Sequence, residues 1–255
     1  IKSLDLSNHV KLVTLDCSGN PLNGLDLSKN VTIERFNGST TNITALDLTA
    51  NTSLSEMLCK DCYNLSEVIF PETLAAIQQE AFMSCTSLTS LTLPASVTSL
   101  SQDAFRNCTK LSELNINSDI IGSSFYQNHF TGAPVSTVNM NENVTTIGES
   151  AFVGAQIGSI MIPASVTKIE KRAFYRQPLI SVSFAKNSEL QAIGSYAFYE
   201  CENIESFDAS NCHDIKTILA GNSLFGAFYG CAITDFKIGT VTPPDIDEYY
   251  SYLNI

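Results

Sequence analysis

Apolar and polar positions form short blocks that recur along the chain every 20 to 30 residues. In the block that begins at Leu88, apolar and polar residues alternate up to Leu93, which predicts a short strand with its leucines facing a core. Pro94 ends this strand because proline has no N–H for a sheet ladder. Val97 and Leu100 then supply a second apolar pair, which we place on the opposite wall of the same core.

An Ala-Phe pair follows each of these blocks. Ala104 and Phe105 close the block just described, and Phe82 precedes Phe105 by 23 residues. The same pair returns at Phe152, Phe174, Phe198 and Phe228. Phe130 keeps the register, with His129 in place of the alanine. This recurrence predicts a solenoid, because one turn cannot bury its own apolar edge whereas stacked turns can.

These residues resemble the leucine-rich-repeat family, and within it the BspA-like subfamily, which repeats a strand, Pro-x-Ser-Val-Thr-x-Ile and Ala-Phe-x-x-Cys. One copy of this motif runs from Pro163 to Phe174, and about seven copies cover residues 63–240. The resemblance implies an α/β leucine-rich-repeat solenoid of horseshoe shape, right-handed and β-rich. It also implies a parallel sheet of about ten strands on the concave face.

Residues 1–62 follow a shorter repeat. Leu-Asp-Leu recurs every 21 residues, beginning at Leu4, Leu25 and Leu46. A second apolar series has the same spacing and begins at Leu12, Ile33 and Leu54. Each turn should therefore have two extended segments on opposite walls, an arrangement similar to the cysteine-containing repeats of internalin-like surface proteins. The leucine-rich segments are followed by Asn8, Asn20, Asn30 and Asn51, and we expect asparagine side chains there to bond backbone groups at the bend.

The two repeat types meet without a linker, so we expect residues 1–62 and 63–240 to form one continuous body. Two segments lose the motif, Ser118–Ala133 and Ala220–Phe228, and we expect the second to bulge as a loop on the convex side. After residue 240 the repeat stops, and 241–255 should be a C-terminal cap or tail. Because the chain opens inside a repeat, we also expect that a targeting segment has been removed.

The eight cysteines follow the repeat as well. Five occupy equivalent positions in their turns: Cys62, Cys85, Cys108, Cys201 and Cys231. Ala133, Ala155 and Gln177 fill this position in other turns, which indicates a small buried group. Parallel side chains in stacked turns do not converge as a disulfide requires, so we predict free thiols. Cys59 and Cys62 have the spacing of half a zinc site, but no second pair lies near them, and we predict neither metal nor cofactor.

The net charge and the absence of certain sequence motifs limit the classes of function that we expect. The net charge of −12 argues against nucleic acid and anionic membranes as partners. No apolar run approaches the roughly 20 residues that span a bilayer, so this segment should not insert into one. The chain has no nucleophile elbow, phosphate loop or His-Glu-x-x-His motif, and we predict that it is not an enzyme.

The exposed side of the predicted strands remains as the candidate site. Its residues are small and polar with an acidic bias, and we choose six as candidate ligand-binding residues: Glu67, Glu113, Asn115, Glu205, Asp208 and Asp235. The same register places eight N-terminal residues on this face: Val13, Thr14, Asp16, Glu34, Arg35, Asn37, Ser55 and Glu56. Aromatic anchors, which often mark binding hot spots, are absent from it.

The resemblance implies a non-enzymatic binding module of a bacterial cell-surface or secreted protein. We expect an extracellular or cell-surface monomer that adheres, through its concave face, to a host matrix protein or to other cells. A structural spacer that presents another domain is one alternative, and a carbohydrate-binding module is another.

Overall fold

The computed structural model of the chain describes residues 1–119, 129–218 and 226–239, together with the backbone of 121–122. This part contains 19 short strands, numbered in chain order, that line two walls of a solenoid. The front wall consists of β3 (Ala45–Asp47), β5 (Glu67–Ile69), β7 (Ser90–Leu93), β9 (Glu113–Ile116), β11 (Thr137–Met140), β13 (Ser159–Ile162), β15 (Ser181–Phe184), β17 (Ser206–Ala209) and β19 (Asp235–Ile238). The rear wall consists of β1 (Thr14–Asp16), β2 (Arg35–Asn37), β4 (Glu56–Leu58), β6 (Ala76–Ile77), β8 (Ser99–Leu100), β10 (Ile121–Gly122), β12 (Thr146–Ile147), β14 (Lys168–Ile169), β16 (Ala192–Ile193) and β18 (Thr217–Ile218).

Paired strands are parallel and belong to successive turns. On the front wall, Leu91 of β7 lies opposite Leu114 of β9, which lies opposite Val138 of β11. The hydrogen-bonded groups of this wall are β3-β5, β7-β9-β11, β13-β15 and β17-β19. We expected one continuous sheet of about ten strands, and the wall is instead divided into these groups.

The α/β part of the predicted fold class is wrong, because no residue in the described ranges is helical. The reason is the length and composition of the connections. Only residues 94–98 separate β7 from β8, and they include Pro94 and the β-branched Val97 and Thr98. So few residues cannot complete the costly first turn of a helix and still reach the opposite wall. Across the same ranges, therefore, no helix has the length and apolar character to cross a membrane.

Stacked phenylalanines fill the core, as the repeat predicts. The rings of Phe82, Phe105 and Phe130 are fully buried and lie parallel, with 5.7 Å between neighbouring centroids. Phe174 and Phe198 stack in the same way at 5.2 Å. One apolar core therefore continues through the described turns.

The cysteine position supplies a hydrogen bond as well as a small buried group. The thiol of Cys201 donates to the carbonyl oxygen of Phe174 in the preceding turn at 3.1 Å. Gln177, which replaces the cysteine in its turn, donates from Nε2 to the carbonyl oxygen of Phe152 at 2.9 Å. All eight cysteines are free thiols, and only Cys231 is not fully buried.

Asparagine side chains link turns in the N-terminal repeats. The buried Asn51 donates from Nδ2 to the carbonyl oxygens of Leu27 and Asn30, at 3.2 and 2.9 Å. Asn20 bonds its own bend as expected, donating from Nδ2 to the carbonyl oxygens of Cys17 and Ser18 at 3.1 Å, whereas Asn30 and Asn51 bond the preceding turn. The bend is closed by aspartate: Oδ1 of Asp47 accepts a hydrogen bond from the N–H of Thr49 at 2.9 Å.

Several expectations fall on residues outside the described ranges. The loop expected at Ala220–Phe228 includes residues 220–225, which are outside the described ranges, and the cap or tail at 241–255 lies beyond residue 239. The irregular segment Ser118–Ala133 includes residues 120 and 123–128, which also lie outside. The right hand and the horseshoe curvature stay predictions.

Candidate binding face

All six candidate residues lie on the front wall. Glu67 lies on β5, Glu113 and Asn115 lie on β9, Asp208 lies on β17 and Asp235 lies on β19, while Glu205 directly precedes β17. Burial alternates along these strands, so that leucine, valine or phenylalanine enters the core and the neighbouring polar side chain points outward. Glu113 and Asn115 are half-buried, and the other four are exposed.

The N-terminal residues assigned to the same face are on the rear wall, which corrects that prediction. β1, β2 and β4 form one sheet, which carries Thr14, Asp16, Arg35 and Glu56. Beyond β4, the N–H of Cys59 donates to the carbonyl oxygen of Ala81, at the Ala-Phe turn that follows rear strand β6. The front wall begins instead with β3, which pairs with β5.

The error has a physical cause in the sequence pattern. The segments of both walls contain three apolar residues with the same spacing. The second follows the first by three positions, and the third follows the second by two. Leu12, Leu15 and Cys17 follow this pattern on the rear wall, whereas Ile43 and Leu46 begin it on the front wall. Because the spacing is identical, only the pairing between turns identifies the wall.

The middle of the face is a hydrogen-bonded polar ladder. Nδ2 of Asn139 on β11 donates to Oε1 of Glu113 at 3.1 Å and to Oδ1 of Asn115 at 2.9 Å. Nδ2 of Asn115 in turn lies 3.5 Å from the hydroxyl oxygen of Thr92 on β7. Glu113 and Asn115 are therefore held in place by neighbouring turns, which reduces the entropy cost of a contact with a partner.

Lys237 offsets part of the negative charge at the C-terminal end of the face. Its Nζ lies 2.9 Å from Oδ2 of Asp235 and 4.0 Å from Oδ2 of Asp208. These carboxylates, Asp235 first, raise the pKa of Lys237. Asp208 accepts hydrogen bonds from Ser210 at the bend after β17, and these bonds lower the pKa of Asp208. Sequence reasoning missed this arrangement, because Lys237 meets Asp208 only through the pairing of β17 with β19.

Glu67 and Glu205 have no side-chain partner within the described ranges. Glu67 also borders a groove of about 250 Å³ between β5 and β7, where the two repeat types meet and the strands do not pair. Glu72 and the exposed side chain of Ile69 line the same groove. The structure thus forms a local acidic groove at this junction.

Metal ligands do not assemble in the described part of the chain, where no three His, Cys, Asp or Glu side chains are close enough to hold an ion. Cys62 donates its thiol hydrogen to the carbonyl oxygen of Gly38 at 3.1 Å, and its sulfur lies 3.5 Å from Oγ1 of Thr41. Burial raises the pKa of Cys17 to about 11 and that of Cys108 to about 12. Both thiols therefore stay protonated near neutral pH, as suits packing and hydrogen bonding.

Three of the solved structures that match this chain are those of bacterial leucine-rich-repeat proteins. A leucine-rich cell-surface protein from Faecalibacterium prausnitzii is 13% identical, with 85% of this chain and 66% of that one covered and a TM-score of 0.30. A leucine-rich-repeat protein from Bacteroides ovatus is 15% identical, with coverages of 87% and 81% and a TM-score of 0.28. The functional domain of InlJ from Listeria monocytogenes, described as including a cysteine ladder, is 15% identical, with coverages of 96% and 58% and a TM-score of 0.26.

The chain thus spans about two thirds of the length of the Faecalibacterium protein and less of the Listeria domain. A search of curated protein sequences found no match. The family comparison is decisive, because the model described as BspA type leucine rich repeat region matches six copies over residues 29–129, 52–181 and 123–250. These matches cover most of the sequence and agree with the repeating turns of the structure. The chain therefore belongs to the BspA-type leucine-rich-repeat family.

Proposed function

We propose that this chain is a non-enzymatic binding module of a bacterial cell-surface or secreted protein, and that its front wall binds a protein ligand. The ligand class is a host matrix protein or a protein on other cells. The observation that carries this proposal is the alignment of Glu67, Glu113, Glu205, Asp208 and Asp235 along one wall. Carboxylates spread over many turns suit a large partner that touches several turns at once, since each contact is weak and their number supplies the affinity.

Electrostatics indicate the character of the partner. The chain carries a net charge of −12, and the carboxylates of Glu67 and Glu205 are exposed without a described side-chain partner. A partner with basic patches would be steered toward this wall, and salt would slow the association. The groove beside Glu67 offers a place for one basic side chain with an apolar stem, because Ile69 lines it together with Glu67 and Glu72.

The test begins with a binding screen of the protein against immobilised matrix proteins and a glycan array. A ligand found in this way is then titrated with two charge-reversed proteins that carry the same change in net charge. The front variant replaces Glu67 and Glu205 by lysine, and the control replaces Glu34 and Glu56, which lie at β2 and β4 of the rear wall. We expect weaker binding of the front variant alone.

Other outcomes favour the alternatives. If only the rear-wall control loses binding, the front-wall assignment is wrong. Binding to neutral glycans but to no protein would favour the carbohydrate-binding module. A protein that binds nothing in either screen would favour the structural spacer.

A further inference from the structure

Three tyrosines form a stack on the turns that lead from the rear wall back to the front wall. Tyr175, Tyr199 and Tyr229 each follow the phenylalanine of an Ala-Phe pair. The ring centroids of Tyr175 and Tyr199 are 5.0 Å apart with an interplanar angle of 6°, and those of Tyr199 and Tyr229 are 5.2 Å apart at 14°. The same position holds Met83, Arg106, Thr131 or Val153 in earlier turns, so the stack belongs to the C-terminal turns alone.

An exposed arginine flanks this stack. The guanidinium carbon of Arg176 lies 5.2 Å from the ring centroid of Tyr175, and Nε of Arg176 donates to Oε2 of Glu200. The side chain of Arg176 is 60% exposed, and its terminal N–H groups have no partner among the described residues. Glu200 also interacts with the hydroxyl of Tyr199 and raises the pKa of that phenol. Arg176 is therefore fixed in place with donors directed at solvent, a geometry suited to a carboxylate.

The backbone of this site is left-handed at two residues. Arg176 and Glu200 have φ angles of 56° and 52°, in the left-handed region that favours glycine. The equivalent position is also left-handed in other turns, where it holds Asp61, Ser84, Asn107, Gly132, Gly154 or Gly230. From these positions Arg176 and Glu200 form an ion pair between neighbouring turns.

The region is also locally basic in an acidic chain. Lys168, Lys171, Arg172 and Arg176 lie within nine residues, although the whole chain has only 14 lysines and arginines. Glu170, Glu149 and Glu200 are their ion-pair partners. The tyrosine stack, in which Tyr229 is exposed and Tyr175 and Tyr199 are half-buried, thus borders a cluster of basic side chains.

We propose that Arg176, Tyr199 and Tyr229, supported by Tyr175 and Glu200, form a docking surface for an acidic segment of a partner protein. A carboxylate of the segment bonds the free N–H groups of Arg176, and its apolar side chains pack against the tyrosine edges. Tyrosine and arginine are the residues that most often dominate the binding energy of protein interfaces. A carbohydrate fits less well, because the rings of Tyr175 and Tyr199 use their faces to stack on each other.

This surface is separate from the front wall and takes a partner of opposite charge, so the two proposals stand independently. The probe is an acetylated, amidated eight-residue peptide that alternates glutamate with leucine, titrated into isotope-labelled protein and followed by NMR. We expect shift changes centred on the Arg176 Nε–H and on the amides of Tyr199 and Tyr229. The same peptide with glutamine in place of glutamate should cause shifts that are about tenfold weaker at equal concentration, through loss of the charge-assisted hydrogen bonds.

Variants separate binding from folding. Arg176→Gly removes the guanidinium and relieves the left-handed backbone, so the protein should unfold at the same or higher urea concentration while peptide affinity falls about tenfold. Tyr229→Ala should also weaken the peptide, whereas Arg106→Gln, at the equivalent position of the Phe105 turn, should not. Equal shifts with the glutamine peptide, unchanged affinity of Arg176→Gly, or shifts at these residues with a heparin oligosaccharide but not with the peptide would each overturn the proposal.

Discussion

The thiol of Cys108 donates a hydrogen bond of 3.0 Å to the backbone carbonyl oxygen of Phe82, in the preceding turn. The same carbonyl already accepts the N–H of Cys85 at 3.1 Å, so it is shared between two donors. Cys231 makes the equivalent bond to Phe198 at 3.1 Å. In each of these turns the cysteine side chain therefore bonds the backbone of the preceding turn, in addition to the hydrogen bonds between the strands.

Removing this thiol should have a modest, measurable cost. Cys108→Ala keeps the fold, because Ala133 and Ala155 occupy equivalent positions, and the Phe82 carbonyl retains its backbone partner. We expect a loss of about 1–2 kcal/mol in the free energy of unfolding, from the hydrogen bond and a small cavity. Urea unfolding measures it. Cys231→Ala, at a half-buried site, is the control and should cost less, and equal costs would contradict the burial argument.

Most of the thiols should react slowly in the native protein; the exception is Cys62, because a hydrogen bond with Cys59 lowers its pKa to about 6. Burial raises the pKa of Cys108 and of Cys201 to about 12, and neither sulfur reaches solvent. A thiol reagent should therefore titrate few groups at neutral pH and all eight after denaturation. Mass spectrometry without reductant gives the independent check, and a bridge between Cys85 and Cys108 would show that the stacked side chains do converge.

Phe105 should be among the most costly core residues to truncate. Its ring is fully buried between those of Phe82 and Phe130. We expect Phe105→Ala to reduce stability by about 3–5 kcal/mol. Because each turn contacts only its neighbours, loss of hydrogen-exchange protection should centre on residues 80–130. A loss below about 1 kcal/mol would be incompatible with a core position.

His129 should make stability depend on pH between about 5 and 7. It fills the position that alanine occupies in other turns and is fully buried, with Nδ1 2.9 Å from the carbonyl oxygen of Ser101. Burial lowers its pKa, against the opposing effects of the Ser101 carbonyl and Asp103. Below about pH 6.5 the unfolded chain binds a proton that the folded chain resists, so this contribution is present at higher pH and is lost on acidification.

Comparison with His129→Ala isolates the effect. Wild-type protein should lose more stability than this variant between pH 7.5 and pH 5.5, as measured by the urea midpoint. Aspartates such as Asp16 and Asp47, whose pKa values are lowered by hydrogen bonds, titrate below this window. If the urea midpoints of the two proteins change equally with pH, the folded state does not resist protonation of His129, which would contradict this prediction.

The sequence predicts the repeat and its buried positions because these are periodic. Phe105 and Phe174 recur at a fixed place in the turn, and the structure buries both completely. The wall that carries Glu56 was predicted wrongly because both apolar series have the same internal spacing. The ion pair of Lys237 with Asp208 and the tyrosine stack arise from contacts between turns, which depend on register. A signal for the stack was nevertheless present, since tyrosine follows phenylalanine in three successive turns of the motif.

The most direct test of the proposed binding wall is the salt dependence of the association rate, measured by surface plasmon resonance with the ligand from the matrix screen. For wild-type protein the rate should fall severalfold between 50 and 500 mM salt, since the Debye length shortens from about 14 to about 4 Å. The variant with Glu67→Lys and Glu205→Lys should associate more slowly and with a flatter dependence, while the Glu34→Lys and Glu56→Lys control keeps the wild-type slope. An unchanged rate for the front variant, together with a slower rate for the rear-wall control, would contradict the assignment of binding to the front wall.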